Sequence, residues 1–172
     1  MRATSSLPLL TTARETLCTT ARTSGKRRVR RRMAAVDVVD AYIAGLPEPG
    51  GRLAHGEWGL TIGADAAGGW PLEVGLRVAD GLLRVQAFAL AHDDGLDPWG
   101  FLWVNRSTRL VRFACTQSGD IWVHGDLPVS AVDERMVDRL LGLVTEAALV
   151  ARGYAAGRDP GGEAGTGWLT PR

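Results

Sequence analysis

The chain has 172 residues and a formal net charge of +1, with 45% hydrophobic and 23% charged residues. This length and composition are typical of one globular domain with tails, and no apolar run approaches the roughly 20 residues that a membrane-crossing helix needs. Its two cysteines have no second cysteine or histidine at ligand spacing, which indicates neither a disulfide framework nor a zinc site and favours a reduced, cytoplasmic protein.

The net charge conceals a division of the chain at Met33. Nine basic residues and one acidic residue precede Met33 and give residues 1–32, the basic leader, a charge of +8, whereas the remainder carries −7. The leader is rich in Arg, Ser and Thr, which predicts a disordered segment, an organellar transit peptide, or a misassigned start with Met33 as the true first residue.

A functional interpretation of the leader is that it neutralises phosphates of a nucleic acid, and another is that it folds back onto the acidic domain. The candidate nucleic-acid contacts are Lys26, Arg27, Arg28, Arg30, Arg31 and Arg32. Because the −7 body would repel phosphate, direct nucleic-acid binding could come only from this arm or from local arginine clusters.

The predicted domain spans residues 33–153 and opens with a helical stripe. Apolar residues at i, i+3, i+6, i+7 and i+10 predict an amphipathic helix of about three turns. They are Val36, Val39, Tyr42, Ile43 and Leu46. Gly45 and the Pro- and Gly-rich residues 47–51 then end the helix.

Three stretches with alternating apolar residues predict strands at 57–62, 72–78 and 82–90. Asp80 and Gly81 join the second and third, and this dipeptide is typical of a type I′ hairpin turn. The three strands are therefore expected to form an antiparallel meander.

A short second helix is predicted after the meander, with Asp97 as its N-cap and Pro98 at its first position. Its helical stripe consists of Trp99, Leu102, Trp103 and Arg106. Alternation over 109–116 and 119–126 then predicts a second hairpin, in which Cys115 is expected to be a core residue.

The last helix is predicted to begin at Ser130, with Asp133 completing a capping-box arrangement, and to end at Arg152 and Gly153. Residues 154–172 are predicted to be a disordered tail. The order α-β-β-β-α-β-β-α predicts an α+β fold, in which an antiparallel five-stranded sheet has three helices packed on one side.

This order and three segments resemble the YbjN-like family, whose fold is that of type III secretion chaperones. The segments are LWVNRSTRLVRFA at 102–114, GDIWVHGDLP at 119–128 and the final amphipathic helix. The resemblance implies a small acidic protein that binds an extended segment of a client protein as a homodimer. The family has no established catalytic residues to carry over, and the basic leader departs from its pattern.

The residues themselves predict no catalytic residue, cofactor site or metal site. The three histidines, His55, His92 and His124, lie in separate segments, and neither a phosphate-binding glycine loop nor a complete calcium loop occurs. We therefore expect a non-enzyme.

Tryptophan and arginine instead concentrate on the second helix and second hairpin, and these residue types are enriched at interface hot spots. The candidate interface residues are Trp99, Trp103, Arg106, Arg109, Arg112 and Trp122. They would form either a dimer seam or a client groove, although tryptophans that belong simply to the core explain the pattern equally well.

Two function classes remain. In the first, the domain is a protein-binding module or chaperone-like adaptor, which captures a client protein by strand addition or groove docking. In the second, it is a nucleic-acid-associated factor or an adaptor to a DNA-binding or repair protein. No membrane partner is expected.

Overall fold

The structure is a computed structural model that describes residues 12–93 and 97–157, with side chains for residues 27, 29–93 and 97–157. The helices are α1 (Thr12–Ala44), α2 (Pro98–Val104) and α3 (Glu134–Ala155). The strands are β1 (Gly50–Ala54), β2 (Glu57–Ile62), β3 (Leu72–Ala79), β4 (Leu82–Leu90), β5 (Val111–Cys115) and β6 (Ile121–Pro128). The predicted α+β class with three helices is confirmed for the described residues.

The sheet is antiparallel and has six strands in the order β1-β2-β3-β4-β6-β5, so the prediction of five strands was wrong. The missed strand is β1, which carries two glycines and no apolar alternation and is exposed along its whole length. Gly50 allows it to approach β2 closely, because a Cβ there would lie 2.9 Å from Leu60 Cβ. The glycines that indicated a loop are therefore part of an edge strand.

The predicted meander of β2, β3 and β4 is confirmed by their pairing. Asp80 and Gly81 both have positive φ, +51° and +82°, as a type I′ turn requires. The second hairpin is also confirmed, since β5 pairs with β6, but Cys115 lies exposed at the end of β5 instead of in the core.

Helices α1 and α3 cover one face of the sheet, and the main core lies between these helices and the sheet. Gly125 of β6 permits the close contact with α3, because a Cβ there would lie 2.5 Å from Leu140 Cδ1. Trp58 is 1% exposed, and its indole N–H donates to Asp40 Oδ1 of α1 at 2.6 Å. Both helices are thus fixed by packing against this one face.

Helix α1 is longer than the three predicted turns, because it begins at Thr12 and runs without a break through Met33. No proline interrupts residues 12–44, and arginine and lysine are good helix formers. The structure thus differs from the predicted disorder over residues 12–32, while residues 1–11 of the leader lie outside the described part. The domain boundary at Met33 stays a prediction.

The sequence predicted Ser130 as the N-cap of α3, and this was wrong. The N-cap is Asp133, which accepts a hydrogen bond from the Met136 N–H. Ser130 lies in a 3-10 turn, Val129–Ala131. The helix also passes the predicted end at Gly153 and stops at Ala155, before Gly157 with φ of +65°. Residues 158–172 of the predicted tail lie outside the described residues.

Within residues 12–93 and 97–157, no helix is both long enough and apolar enough to span a bilayer.

Candidate protein-binding surfaces

Helix α2 has one buried face and one exposed face. Phe101 and Val104 are buried, and the Phe101 ring centroid lies 5.1 Å from that of Phe113 and 5.7 Å from that of Tyr154. The N-cap Asp97 accepts from the Trp99 N–H at 3.0 Å, as predicted. Phe101 thus anchors this helix of seven residues to β5 and α3.

The apolar stripe predicted on α2 is the exposed face of the helix. Trp99, Leu102 and Trp103 are 75%, 44% and 53% exposed. The Arg106 guanidinium lies 4.5 Å from the centre of the Trp103 ring, a cation–π arrangement that orders both side chains. We call these four residues the α2 surface. Three large apolar side chains thus lie next to one another in solvent. Trp99 and Trp103 are therefore not core residues, which was the alternative explanation of the tryptophan pattern.

Asn105 fixes this surface relative to the sheet. Its side-chain amide donates to the Phe113 carbonyl at 2.9 Å and accepts from the Phe113 N–H at 2.8 Å. Because β5 is an edge strand, these two bonds occupy its outward-facing groups at Phe113. Strand addition at this point of β5, one of the docking modes expected from the sequence, is therefore obstructed.

Arg112 and Trp122 lie on the face of the sheet that α1 and α3 do not cover. The Trp122 ring is half-buried, with its centroid 5.4 Å from Phe88 in an edge-on arrangement. Arg112 and Arg84 both donate to Asp126, the latter at 2.8 Å. The six predicted interface residues therefore separate into the α2 surface and this open sheet face, with Arg109 exposed in the loop between them.

Burial and the contacts with Arg84 and Arg112 together determine the protonation of Asp126 and His124 on the open face. Burial opposes ionisation of Asp126, but the hydrogen bonds from Arg84 and Arg112 outweigh it and lower the pKa of Asp126. Burial, and then the charges of the two arginines, lower the pKa of His124, so its imidazole is neutral at neutral pH. His124 stacks on Trp122, and its buried Nδ1 has no hydrogen-bond partner among the described residues. The open face thus presents a neutral histidine near one carboxylate that pairs with two arginines.

A groove on the opposite side of the molecule was not anticipated from the sequence. It has a volume of about 750 Å³ and lies where the end of α1, the outer side of α3 and β2 meet. Its lining includes Leu60 and Ile62 of β2 and two glycines of α3, Gly142 and Gly153. We call it the α1–α3 groove. The two glycines were the available sequence signal, because glycine is unfavourable inside a helix.

The basic leader lies partly within α1. Arg27, Arg30 and Arg31 are exposed on this helix, whereas Arg32 donates to the Val78 carbonyl at 3.3 Å. Lys26 and Arg28 also belong to α1, but their side chains lie outside the described part.

The histidines of the described residues do not converge. His55 contacts Arg52 in the β1–β2 connection, and the His92 N–H donates to Asp120 at 3.0 Å near the β5–β6 turn. Within the described ranges, no group of three His, Cys, Asp or Glu residues is placed to hold a metal ion.

Comparison with known proteins places the fold. No protein-family model and no curated protein sequence matches this chain. Solved structures do match, and they define its class: the chain has a YbjN-like, type III secretion chaperone-like fold, which confirms the resemblance at the level of fold.

Three of these structures illustrate the likeness, each at 13% sequence identity. The HopA1–SchA chaperone–effector complex aligns with a TM-score of 0.55 over 70% of this chain and 96% of that chain. The Yersinia pestis type III secretion chaperone SycH, solved with a stable fragment of YscM2, aligns with a TM-score of 0.51 over 68% and 98%. YbjN from E. coli aligns with a TM-score of 0.51 over 69% and 92%.

Proposed function

We propose that this protein is a non-catalytic, chaperone-like module that binds a segment of a client protein and acts as a homodimer. The observation that carries the proposal is the α2 surface, where Trp99, Leu102 and Trp103 are exposed side by side. Contiguous exposed aromatic side chains beside an arginine are characteristic of protein interfaces, because burying them on association removes apolar area from water. Two of the three structural neighbours described above are chaperones solved with a partner protein.

The α2 surface is proposed as the homodimer seam. Asn105 and Phe101 anchor it to β5, and two copies of it could pack their tryptophans against each other. Arg112 and Trp122, on the open sheet face, are proposed as a second contact region for the partner copy or the client.

We predict that Trp103→Ala lowers the affinity of self-association at least tenfold, because it removes a central exposed aromatic and the platform on which Arg106 stacks. Arg112→Glu is expected to weaken association of the partner or client as well. Sedimentation velocity over a concentration series measures the effect, with far-UV circular dichroism as the test that the fold is intact.

Leu53→Ala is the matched control, since Leu53 is 75% exposed at the opposite edge of the sheet. Dimers that persist unchanged in Trp103→Ala and in a Trp99→Ala/Trp103→Ala double variant would rule out the α2 surface as the seam.

The second candidate function is a nucleic-acid-associated adaptor, favoured by the exposure of Arg27, Arg30 and Arg31 along one helix. A helix with this spacing of arginines could neutralise several phosphates, and its affinity would fall steeply with salt. The test compares the full chain with a chain beginning at Met33 in binding a labelled DNA duplex at 50 and 200 mM salt. Salt-sensitive binding that is lost on truncation supports this function, and equal binding by both chains refutes it.

A further inference from the structure

We propose that the α1–α3 groove is the client site, and that its occupant is an amphipathic helix of the client whose apolar face is flanked by lysine or arginine. This inference rests on the proposed client-binding function and adds to it the location of the site and the chemistry of the bound segment. It concerns a surface separate from the α2 surface, so the two can be tested independently.

The first argument is the apolar floor. Leu60 and Leu141 are buried at 3% and 8% exposure, and three further apolar side chains along the groove are only partly buried. These three are Leu46, Ile62 and Leu149. A floor of leucine and isoleucine in a hollow of about 750 Å³ offers area that a second apolar face can remove from water.

The second argument is the room left by two glycines. Gly142 and Gly153 lie within α3, where each glycine costs about 1 kcal/mol of helix stability relative to alanine. A Cβ at either position would meet nothing within 4 Å, so the packing of this chain does not require them. They keep the α3 wall of the groove low, at a cost that the folded chain itself does not explain.

The length of the groove fits a helix. The wall of α3 runs from Asp138 to Gly153, about 22 Å at 1.5 Å per residue. Four turns of a bound helix are about 22 Å long, so they match the length of this wall. The anchors of an amphipathic helix at i, i+3 or i+4, and i+7 span roughly 10 Å and fit within that length.

The third argument is charge. Three acidic residues border the groove and are exposed, Glu48, Asp138 and Glu146, while the described residues of its lining include no arginine, lysine or histidine. Tyr42 donates to Asp138 Oδ1 at 2.9 Å and thereby holds that carboxylate on the rim. An apolar floor inside an acidic rim complements a helix whose apolar face is bordered by cations, and it disfavours acidic helices and nucleic acids.

The described basic side chains of α1 do not reach the groove in the same chain. Residues 27–32 belong to the same continuous helix α1 as Tyr42, which forms one wall, so they extend away from it. The basic helix of a second copy could reach the groove, and the test below separates that outcome from a client.

The experiment measures binding of two fluorescent 18-residue helical peptides to the full chain by anisotropy. One peptide has a leucine stripe bordered by lysine, and the other has the same stripe bordered by glutamate. We expect the lysine peptide to bind at least tenfold more tightly than the glutamate peptide. Equal affinities would overturn the proposed chemistry.

Groove variants locate the binding. Gly142→Leu fills the hollow and is expected to lower the affinity for the lysine peptide at least tenfold. Gly142→Ala stabilises α3 to a similar extent but leaves most of the space open, so it should change the affinity less than threefold. Glu146→Lys should weaken binding three- to tenfold, and Asp37→Lys, an exposed residue of α1 that does not line the groove, should alter it less. Affinity that is unchanged in Gly142→Leu would place the peptide elsewhere and overturn the proposal.

Two further outcomes are distinguishable. If dimers of the chain dissociate in both Gly142→Leu and the chain beginning at Met33, the groove is filled by the basic helix of a second copy, and the client assignment is wrong. If the lysine peptide fails to bind while Trp103→Ala still disrupts self-association, this inference fails and the α2 surface remains. If the peptide binds in a groove-dependent way and Trp103→Ala has no effect, the α2 surface fails and the groove remains.

Discussion

Arg152 shows how much a single residue can contribute to this fold. Among the described residues it is the only charged one that is buried, at 3% exposure. Its guanidinium donates to the carbonyls of Ala67, Ala89, Trp70 and Pro71 at 2.6 to 3.3 Å. It also lies 4.5 Å from the centre of the Trp70 ring, and burial lowers its pKa. Arg152 thereby ties α3 to the end of β4 and to the loop before β3.

We predict that Arg152→Ala lowers the free energy of unfolding by about 3 kcal/mol, because it leaves several carbonyls without a donor and opens a cavity. Arg152→Lys should lose about half as much, since an ammonium cannot reproduce the planar set of donors. Urea unfolding followed by tryptophan fluorescence measures both changes.

Arg139→Ala serves as the reference, since Arg139 is exposed on the same helix. We expect it to shift the free energy of unfolding by less than about 0.5 kcal/mol. A loss below 1 kcal/mol in Arg152→Ala would contradict the role assigned to the four carbonyl contacts.

At the scale of elements, the start of α3 separates a sequence pattern from the cap that forms. Ser130 and Asp133 have the spacing of a capping box, but Asp133 itself has the extended backbone of an N-cap and bonds to Met136 N. Ser130 is displaced into a separate 3-10 turn. A local pattern that spans four residues cannot tell these alternatives apart, because both serine and aspartate are good caps.

We predict that Asp133→Ala destabilises the protein by about 1 kcal/mol, because it removes the acceptor for an N–H of the first turn and a negative charge at the positive end of the helix dipole. Ser130→Ala should change stability by less than about 0.5 kcal/mol, since its side chain does not cap the helix. Thermal unfolding monitored by circular dichroism distinguishes them. The reverse ranking would restore Ser130 as the cap.

The sequence predicted which side of α3 is buried, because the pattern there is long, but it predicted neither the orientation of α2 nor the presence of β1. The stripe of α3 extends over some 15 residues, and Val137, Leu140, Leu141 and Val144 are buried as expected. Helix α2 has only seven residues, so each of its faces carries few apolar residues. The face with three of them is exposed to solvent, and the face with Phe101 and Val104 is buried. Strand β1 has no apolar alternation at all, because it is an edge strand that buries none of its five residues.

At the scale of the whole molecule, the buried residues among the side chains that the structure describes all lie after Met33. The first buried residue described in α1 is Ala35, and Arg31, Arg32 and Met33 are exposed. The only described hydrogen bond from the leader to the sheet runs from Arg32 to the Val78 carbonyl. The acidic domain is therefore expected to be stable without the basic leader.

We predict that a chain beginning at Met33 unfolds with a free energy within about 0.5 kcal/mol of the full chain, because it retains every residue of α1 that is described as buried. Urea unfolding of the two chains provides the comparison, which also serves as the folding control for the nucleic-acid experiment. A loss above 2 kcal/mol would show that residues 1–32 belong to the folded domain and would refute the predicted boundary.

The sequence alone was sufficient for the α+β class, the meander, the second hairpin, the amphipathic face of α3 and the charge division at Met33. These features depend on periodicity, turn chemistry and composition, which are properties of neighbouring residues. Only the tertiary structure decided that Trp99 and Trp103 face solvent, that Arg152 is buried, and that Gly142 and Gly153 border an acidic-rimmed groove. Those outcomes depend on which elements pack together, and contacts between residues far apart in the chain leave no local pattern.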